Sequence, residues 1–476
     1  MLPIQPNIYI RYFTISKSYG LQWSISEDGH PLLFTLACPI NTRDFIPIQD
    51  TPSIRLTYDA KVEVPRNYMA LMSATNNPKS NNKSCKYNFN MHFPIPPYLI
   101  SLIVGYFQYF SLDKISGIYA DPNLLEAAIN EFQDLPKIIS CTEKSFGKYL
   151  WDRYDLLIIP KNFPAGGMEN PCLTYLSPTV ITGDKSFITV IIHELAHAWT
   201  GNLVTNYTWN DLWLNEGITT YLQNRVVEEI FGREQALLEL RLIYDELLHD
   251  INNMPIENTI LYKHLQTFDP SEMFNRIPYV KGCLFMKDLE KRHGRIKFDK
   301  FIKNYINEFA FKSITTEDFK NYYNRFFQDS IGLDNWLYET GFPKDFKEPA
   351  ELNLDIIIAD TWRTQKWLYF LNKLPLNLNK EYLKKMEDKY NLLNIENITL
   401  RCKWISIRIK NNYIPSKDIL EKALVSTGKI SLVKPIYQEL INSDEGLEIA
   451  KEIYAKAKNF YHELTNRAIK RIINRN

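Results

Sequence analysis

Phe187–Asn202 of the chain runs FITVIIHELAHAWTGN. Its apolar run, Phe187 to Trp199, is closed by Gly201 and predicts a helix carrying His193-Glu194-Leu195-Ala196-His197. Histidines at i and i+4 on a helix lie ~40° apart around its axis, so both rings can reach one ion. Glu194, beside the first ring, can reach a water on that ion without ligating it. Zinc lowers the pKa of such a water to about 7, where a carboxylate can take its proton. Two histidines left without an ion in so apolar a setting would be costly.

The third donor comes from the next helical pattern, which opens at Trp213-Leu214-Asn215-Glu216-Gly217 and runs to about Phe231-Gly232. The intervening Asn202–Asn210 is long enough for a reversal, so the second helix can pack antiparallel and offer Glu216. Two histidines, one carboxylate and an open fourth position define a catalytic zinc site, whereas a structural site is closed by four protein ligands. One zinc ion per chain is expected.

The rest of the composition excludes more than it assigns. With 56 Lys+Arg against 55 Asp+Glu, the net charge of +1 gives no electrostatic reason to expect nucleic acid or an anionic membrane as partner. The most apolar run, Tyr98–Phe107, falls well short of the ~20 residues of a spanning helix. The start, MLPIQPNIYIRYF, has no basic n-region and no small-residue cleavage site, so it is not read as a secretion signal. Six scattered cysteines form no CxxC and no close pair, which points to a reducing compartment. A cytoplasmic monomer is the expectation.

Three regions are expected. Ile54–Val64 alternates without a break, and Tyr87, Phe89, Met91 and Phe93 repeat the pattern after a polar Asn76–Ser84 connection, so residues 1–106 read as an antiparallel β module. Residues 107–346 read as mainly helical, interrupted by a strand at Tyr154–Ile159. After the linker Pro343–Pro349, residues 350–476 show amphipathic segments of about 12–18 residues, Asp355–Leu374, Lys380–Leu393, Ile398–Lys410, Ser416–Ser426, Leu432–Ile441 and Glu445–Phe460 among them, read as a small helical solenoid. The fold class is thus multi-domain α+β.

HELAH, the WLNEG glutamate nineteen residues after its second histidine, and the preceding GGMEN of Gly166–Asn170 together resemble the gluzincin aminopeptidases. GGMENPCLTY, TGNLVTN and Pro278-Tyr279-Val280-Lys281-Gly282 are most similar to the branch of leukotriene A(4) hydrolase and aminopeptidase B. The resemblance implies a thermolysin-like catalytic domain acting on short peptides. It makes Gly166, Gly167 and Met168 part of an edge strand that pairs with extended substrate. It gives Glu169 the substrate's α-ammonium, Tyr279 the oxyanion, and Lys429 the substrate carboxylate. Against the family's length, the β module reads shorter by on the order of a hundred residues.

This chain also departs from the branch. Cys38-Pro39 replaces a glutamine–alanine pair beside the substrate amine, Ala165 a tyrosine, and Lys429 and Ser431 an arginine and a lysine. Ser271 and Phe274 stand where the branch has an aspartate and a tyrosine tied to epoxide hydrolysis. The leading reading is a zinc aminopeptidase with Glu194 as general base. Two others stay open: a zinc-binding peptide scaffold with impaired catalysis, and a bifunctional epoxide hydrolase.

Overall fold

Alternation along the first hundred positions becomes antiparallel strand pairs. β1 (Leu21–Ile25), β2 (Pro31–Thr35), β3 (Leu56–Glu63), β4 (Met69–Met72), β5 (Lys86–Ile95) and β6 (Leu102–Gly105) form two sheets, one ordered β1-β2-β6-β4 and the other a β3–β5 pair. Register sets Tyr58 opposite Met91, Ala60 opposite Phe89 and Val62 opposite Tyr87, so the faces named from the alternation pack inward. The computed structural model describes residues 8–15, 18–26, 29–77, 85–263, 270–329, 331–352 and 362–474. Most of the Asn76–Ser84 connection and the start of the Asp355–Leu374 segment lie outside them.

A five-stranded sheet follows: β7 (Gln108–Ser111), β8 (Ser116–Ala120), β9 (Tyr154–Ile158), β10 (Gly167–Met168) and β11 (Leu173–Leu176), in the order β10-β11-β9-β8-β7. Its three central strands are parallel and its two edges antiparallel. Of these strands the residue pattern disclosed β9, and the resemblance added the edge strand of GGMEN. β8 and β9 are buried along their whole length, and a strand covered on both faces loses the alternation by which strands are recognised. GGMEN supplies β10, an outermost strand that pairs with β11 alone among the described strands.

Helices cover this sheet and build the layer beside it: α1 (Pro122–Phe132), α2 (Leu135–Phe146), α3 (Ile188–Ala196), α4 (Leu212–Phe231), α5 (Arg233–Asn252), α6 (Gly282–His293), α7 (Arg295–Phe309), α8 (Thr316–Phe327) and α9 (Leu333–Tyr338). A short parallel pair, β12 (Val204–Asn206) with β13 (Lys312–Ile314), lies between them. α4 is the hub, packed against α2, α3, α5 and α6 and buried on most of its surface. It ends at Gly232, whose φ of 88° suits glycine and starts α5 in a new direction.

The carboxy-terminal helices are α10 (Thr364–Asn372), α11 (Lys380–Tyr390), α12 (Ile398–Lys410), α13 (Lys417–Leu424), α14 (Ile430–Leu440), α15 (Asp444–Ala457) and α16 (Glu463–Ile473). They pack around their own core, which includes Trp404, Leu420, Tyr437 and Ile469. Asn379 and Asn397 cap α11 and α12 at the starts expected, and α11 and α15 end three residues earlier than the amphipathic segments suggested. Several contacts tie this region to the rest. Asp184 Oδ2 accepts hydrogen bonds from the Thr364 backbone and hydroxyl at 3.2 and 3.1 Å. Arg241 donates to Pro349 O at 2.8 Å. The loop before α14 pairs with the chain before GGMEN, Gly428 N–H to Lys161 O at 2.7 Å and Ile430 N–H to Pro164 O at 3.0 Å. No helix among the described residues is long and apolar enough to cross a membrane, and the six cysteines are free thiols.

Candidate active site

α3 and α4 meet where the sequence motifs predicted. His193 Nε2 and His197 Nε2 are 3.2 Å apart, and Glu216 Oε2 lies 3.3 and 3.4 Å from them. These separations match the edge of a tetrahedron, about 3.3–3.4 Å for bonds of 2.0–2.1 Å to zinc. The protons sit on the opposite sides of the rings. His197 Nδ1 is 3.1 Å from the Thr200 carbonyl, which can only accept, and His193 Nδ1 is 2.9 Å from Gln223 Oε1. With both rings neutral, two imidazole lone pairs face each other and a carboxylate oxygen that is buried without a hydrogen-bond partner. Such an arrangement is repulsive unless a cation sits among the three atoms, so the donor set fits a zinc ion.

The field around the cluster is negative. Burial alone would depress His197, but Glu169, Glu216 and Glu194 outweigh it and lift the imidazole to about 10, so a proton competes with a metal for this ring. Burial would raise Glu216, yet the two histidines, His197 foremost, draw it down to about 2. Glu194 is pushed well above the usual carboxylate range by burial, with Glu169 and Glu216 adding to the shift. Burial also raises Glu169, although His197 pulls the other way.

The glycines of the motifs explain how close these groups come. A Cβ on Gly167 would collide with Glu194 Oε1 and stand 2.6 Å from its Cδ, so only glycine lets the edge strand pass over this carboxylate. A Cβ on Gly201, whose φ is +116°, would stand 2.6 Å from His197 Nδ1. Gly217 of WLNEG and Gly282 of PYVKG face each other, a Cβ on either being 2.7 Å from the other's Cα. That contact seats a π-helical turn, Ile277–Lys281, against α4, with the Tyr279 ring stacked 6.1 Å from that of His193. Such turns recur at functional sites. Burial raises the Tyr279 phenol well above its usual value, and Glu216, Cys38 and Glu169 add to it, leaving a neutral hydroxyl donor.

The remaining sequence candidates gather around this centre. Met168 and Glu169 are buried, and the Glu169 carbonyl accepts from Asn202 Nδ2 at 2.7 Å. Gly166, whose carbonyl accepts the Ser177 N–H at 2.9 Å, lies where a Cβ would be 3.6 Å from Lys429 Nζ. Lys429 is half-buried, and desolvation lowers its pKa to about 8. Cys38 borders the same cluster, its thiol held neutral by burial and by Glu169. The Phe274 ring lies 5.7 Å from that of Trp209, tilted by 55°, while the Ser271 side chain lies outside the described residues. Sequence reasoning missed Gln223, Thr219 and Arg276. Gln223 and Thr219, which lies 3.3 Å from His197 Nδ1, follow Glu216 by seven and three residues on one face of α4, a spacing that could have revealed them.

A helix of this motif facing a glutamate helix, beneath the edge of a mixed sheet, defines a zinc metallopeptidase. Residues 130–336 match the peptidase family M1 domain, and residues 362–473 match the leukotriene A4 hydrolase carboxy-terminal domain. The chain is 34% identical to leukotriene A-4 hydrolase from Xenopus laevis, over 95% of this chain and 81% of that protein. It is also 34% identical to aminopeptidase B from Mus musculus, over 94% of this chain and 76% of that protein. The structure of yeast LTA4 hydrolase in complex with bestatin superposes with a TM-score of 0.89 at 28% identity, covering 97% of this chain and 81% of that one. The chain belongs to peptidase family M1, in the branch of leukotriene A4 hydrolase and aminopeptidase B, and is an enzyme of the zinc aminopeptidase type.

Proposed function

We propose that this enzyme removes amino-terminal residues from short peptides, with one zinc ion held by His193, His197 and Glu216. The convergence of three donor atoms, with both ring protons turned outward, carries this reading. When bound, zinc supplies Lewis acidity, polarising the scissile carbonyl and acidifying water. Glu194, on the ligand helix under the edge strand, takes the proton of the attacking water and delivers it to the leaving amine. Tyr279 donates its hydroxyl to the oxygen that becomes negative in the transition state. Gly166, Gly167 and Met168 pair with the extended peptide through their backbone. Glu169 receives the free α-ammonium, which fixes cleavage one residue from the amino end, and Lys429 receives a substrate carboxylate. We take the enzyme to be cytosolic and monomeric.

The test is zinc analysis of the purified protein together with turnover of aminoacyl reporters, free and acetylated, with and without chelator. Zinc near one equivalent, with chelator-sensitive cleavage of the free amines only, is expected. Equal cleavage of acetylated substrates would overturn the aminopeptidase reading. The proposal is confined to peptides because Phe274 has no hydroxyl and its ring is taken up by Trp209. Incubation with a leukotriene-type epoxide is expected to give no stereospecific dihydroxy product above a zinc-free control. Such a product would show the bifunctional reading to be right.

A further inference from the structure

Arg55, just before β3, is a half-buried guanidinium whose hydrogen-bond partners are all neutral. Nε donates to Pro94 O of β5 at 3.0 Å, Nη1 to Thr205 Oγ1 at 2.6 Å and Nη2 to Asn202 O at 2.7 Å. It makes no ion pair among the described residues, and desolvation lowers its pKa to about 10. A cation withdrawn from water without a counter-charge is costly. What the planar fork supplies in return is geometry, because it joins elements from two regions in one fixed plane. On one side it holds the β module's own strand, and on the other the loop that follows the ligand helix α3.

Asn202 is the centre of that loop and is buried. Its N–H donates to the His197 carbonyl at 2.9 Å, its own carbonyl receives Arg55, and its Nδ2 donates to the Glu169 carbonyl at 2.7 Å. Asn202 Oδ1 is buried without a partner, so the bond to Glu169 is what orients the side-chain amide. The Glu169 backbone needs such a hold, since β10 pairs with β11 at Gly167 and Met168 and Glu169 stands just past the last of these pairs. Thr205 completes the bracket, accepting from Arg55 and donating to the Gly201 carbonyl at 2.6 Å. One loop residue thus ties the helix of His193 and His197 to the backbone of Glu169, and the β module holds that residue in place.

We propose that Asn202 is a positioning residue for Glu169, supported from the β module by Arg55, and that this relay fixes the span between His197 and the carboxylate that receives the substrate's α-ammonium. This rests on the aminopeptidase reading. A slack relay would leave the metal ligands in place and weaken recognition of the free amine.

Two metal-binding inhibitors that differ only in the amino group isolate the effect: leucine hydroxamate and isocaproyl hydroxamate. Their Kd values are measured by titration calorimetry on the zinc-loaded protein, with zinc content determined on the same preparation. The parent is expected to bind leucine hydroxamate about 10–100-fold more tightly, as a hydrogen bond between charged groups allows. Asn202→Leu, close in volume but without a donor, should cut that ratio severalfold with zinc content unchanged. Arg55→Met should do the same, and Arg55→Lys, which keeps donors for the carbonyls, should restore most of the ratio. A merely structural role would move both affinities together. A parental ratio in either Asn202→Leu or Arg55→Met, or equal losses for the two hydroxamates, would overturn the relay while leaving Glu169 as the amine's partner. Should Asn202→Leu not fold, the two Arg55 variants decide by the same ratio. Equal affinity of the parent for both hydroxamates would overturn the amine reading of Glu169 and the relay with it.

Discussion

Glu194 and Gly167 act as one unit, since the absence of a side chain on the strand is what allows the carboxylate to sit against it. Because burial and two neighbouring carboxylates raise Glu194, it is a stronger base than a surface glutamate, which suits a group that must first take a proton and then release it. Glu194→Gln is expected to keep zinc and lose about 10²–10⁴-fold in turnover, measured as metal content and kcat on one preparation. Turnover near the parent's would remove Glu194 as base, and lost metal would make it a ligand. Gln223 acts one step back, fixing the tautomer of His193 through Nδ1. Gln223→Ala should weaken zinc binding by about 10–100-fold with the fold unchanged, read by competition with a chromogenic chelator. Unaltered affinity would mean that the ring is oriented by its packing alone.

At the scale of elements, the π-helical turn is the part that local pattern could not disclose. HELAH and WLNEG were legible because ligand spacing on a helix is set by geometry within each segment, and the first strands because one of their faces stays in solvent. The turn at Ile277–Lys281 depends on one local cap and on partners far away in sequence. Asn275 Oδ1 receives the Ile277 N–H at 2.9 Å, Lys281 donates to the carbonyls of Thr259 and Glu339 at 2.9 and 3.0 Å, and Gly282 rests on Gly217. Arg276 secures its start by ion pairs to Glu246 and Asp250 on α5. Resemblance supplied Tyr279, but nothing in the residues around it announced these anchors. Half-exposed ion pairs contribute little to global stability, so their effect should appear in geometry. Arg276→Gln is expected to lower kcat about tenfold through misplacement of the Tyr279 hydroxyl, with the melting temperature nearly unchanged. A parental kcat would show that Lys281 and the glycine contact hold the turn without it.

Across the whole molecule, the β module, the catalytic region and the carboxy-terminal helices converge on His462. Its ring lies 6.1 Å from Phe34 of β2, which in turn lies 6.1 Å from Phe163 in the loop leading to GGMEN. Nδ1 accepts the Leu464 N–H at 3.1 Å and so caps α16, and Thr465 on that helix holds the Gly428 carbonyl at 2.8 Å. The loop that carries Lys429 is therefore fixed by the same junction. Full burial pushes the His462 imidazole down from 6.5 to about 3, against the opposing pull of the Tyr19 backbone. The unfolded chain binds a proton here below its ordinary pKa, and the folded chain does not until much lower pH. The stability contributed by the neutral ring is thus complete above about pH 6.5 and declines as pH falls toward about 3, by at most about 1.4 kcal/mol per pH unit. His462→Asn keeps a side-chain acceptor at the cap and removes the titration. Denaturant unfolding of parent and variant between pH 4 and 7, compared as a difference so that shared carboxylate titrations cancel, is the measurement. The parent should lose stability relative to the variant as the pH is lowered, and parallel curves would mean that His462 is protonated in the folded enzyme or shielded in the unfolded one.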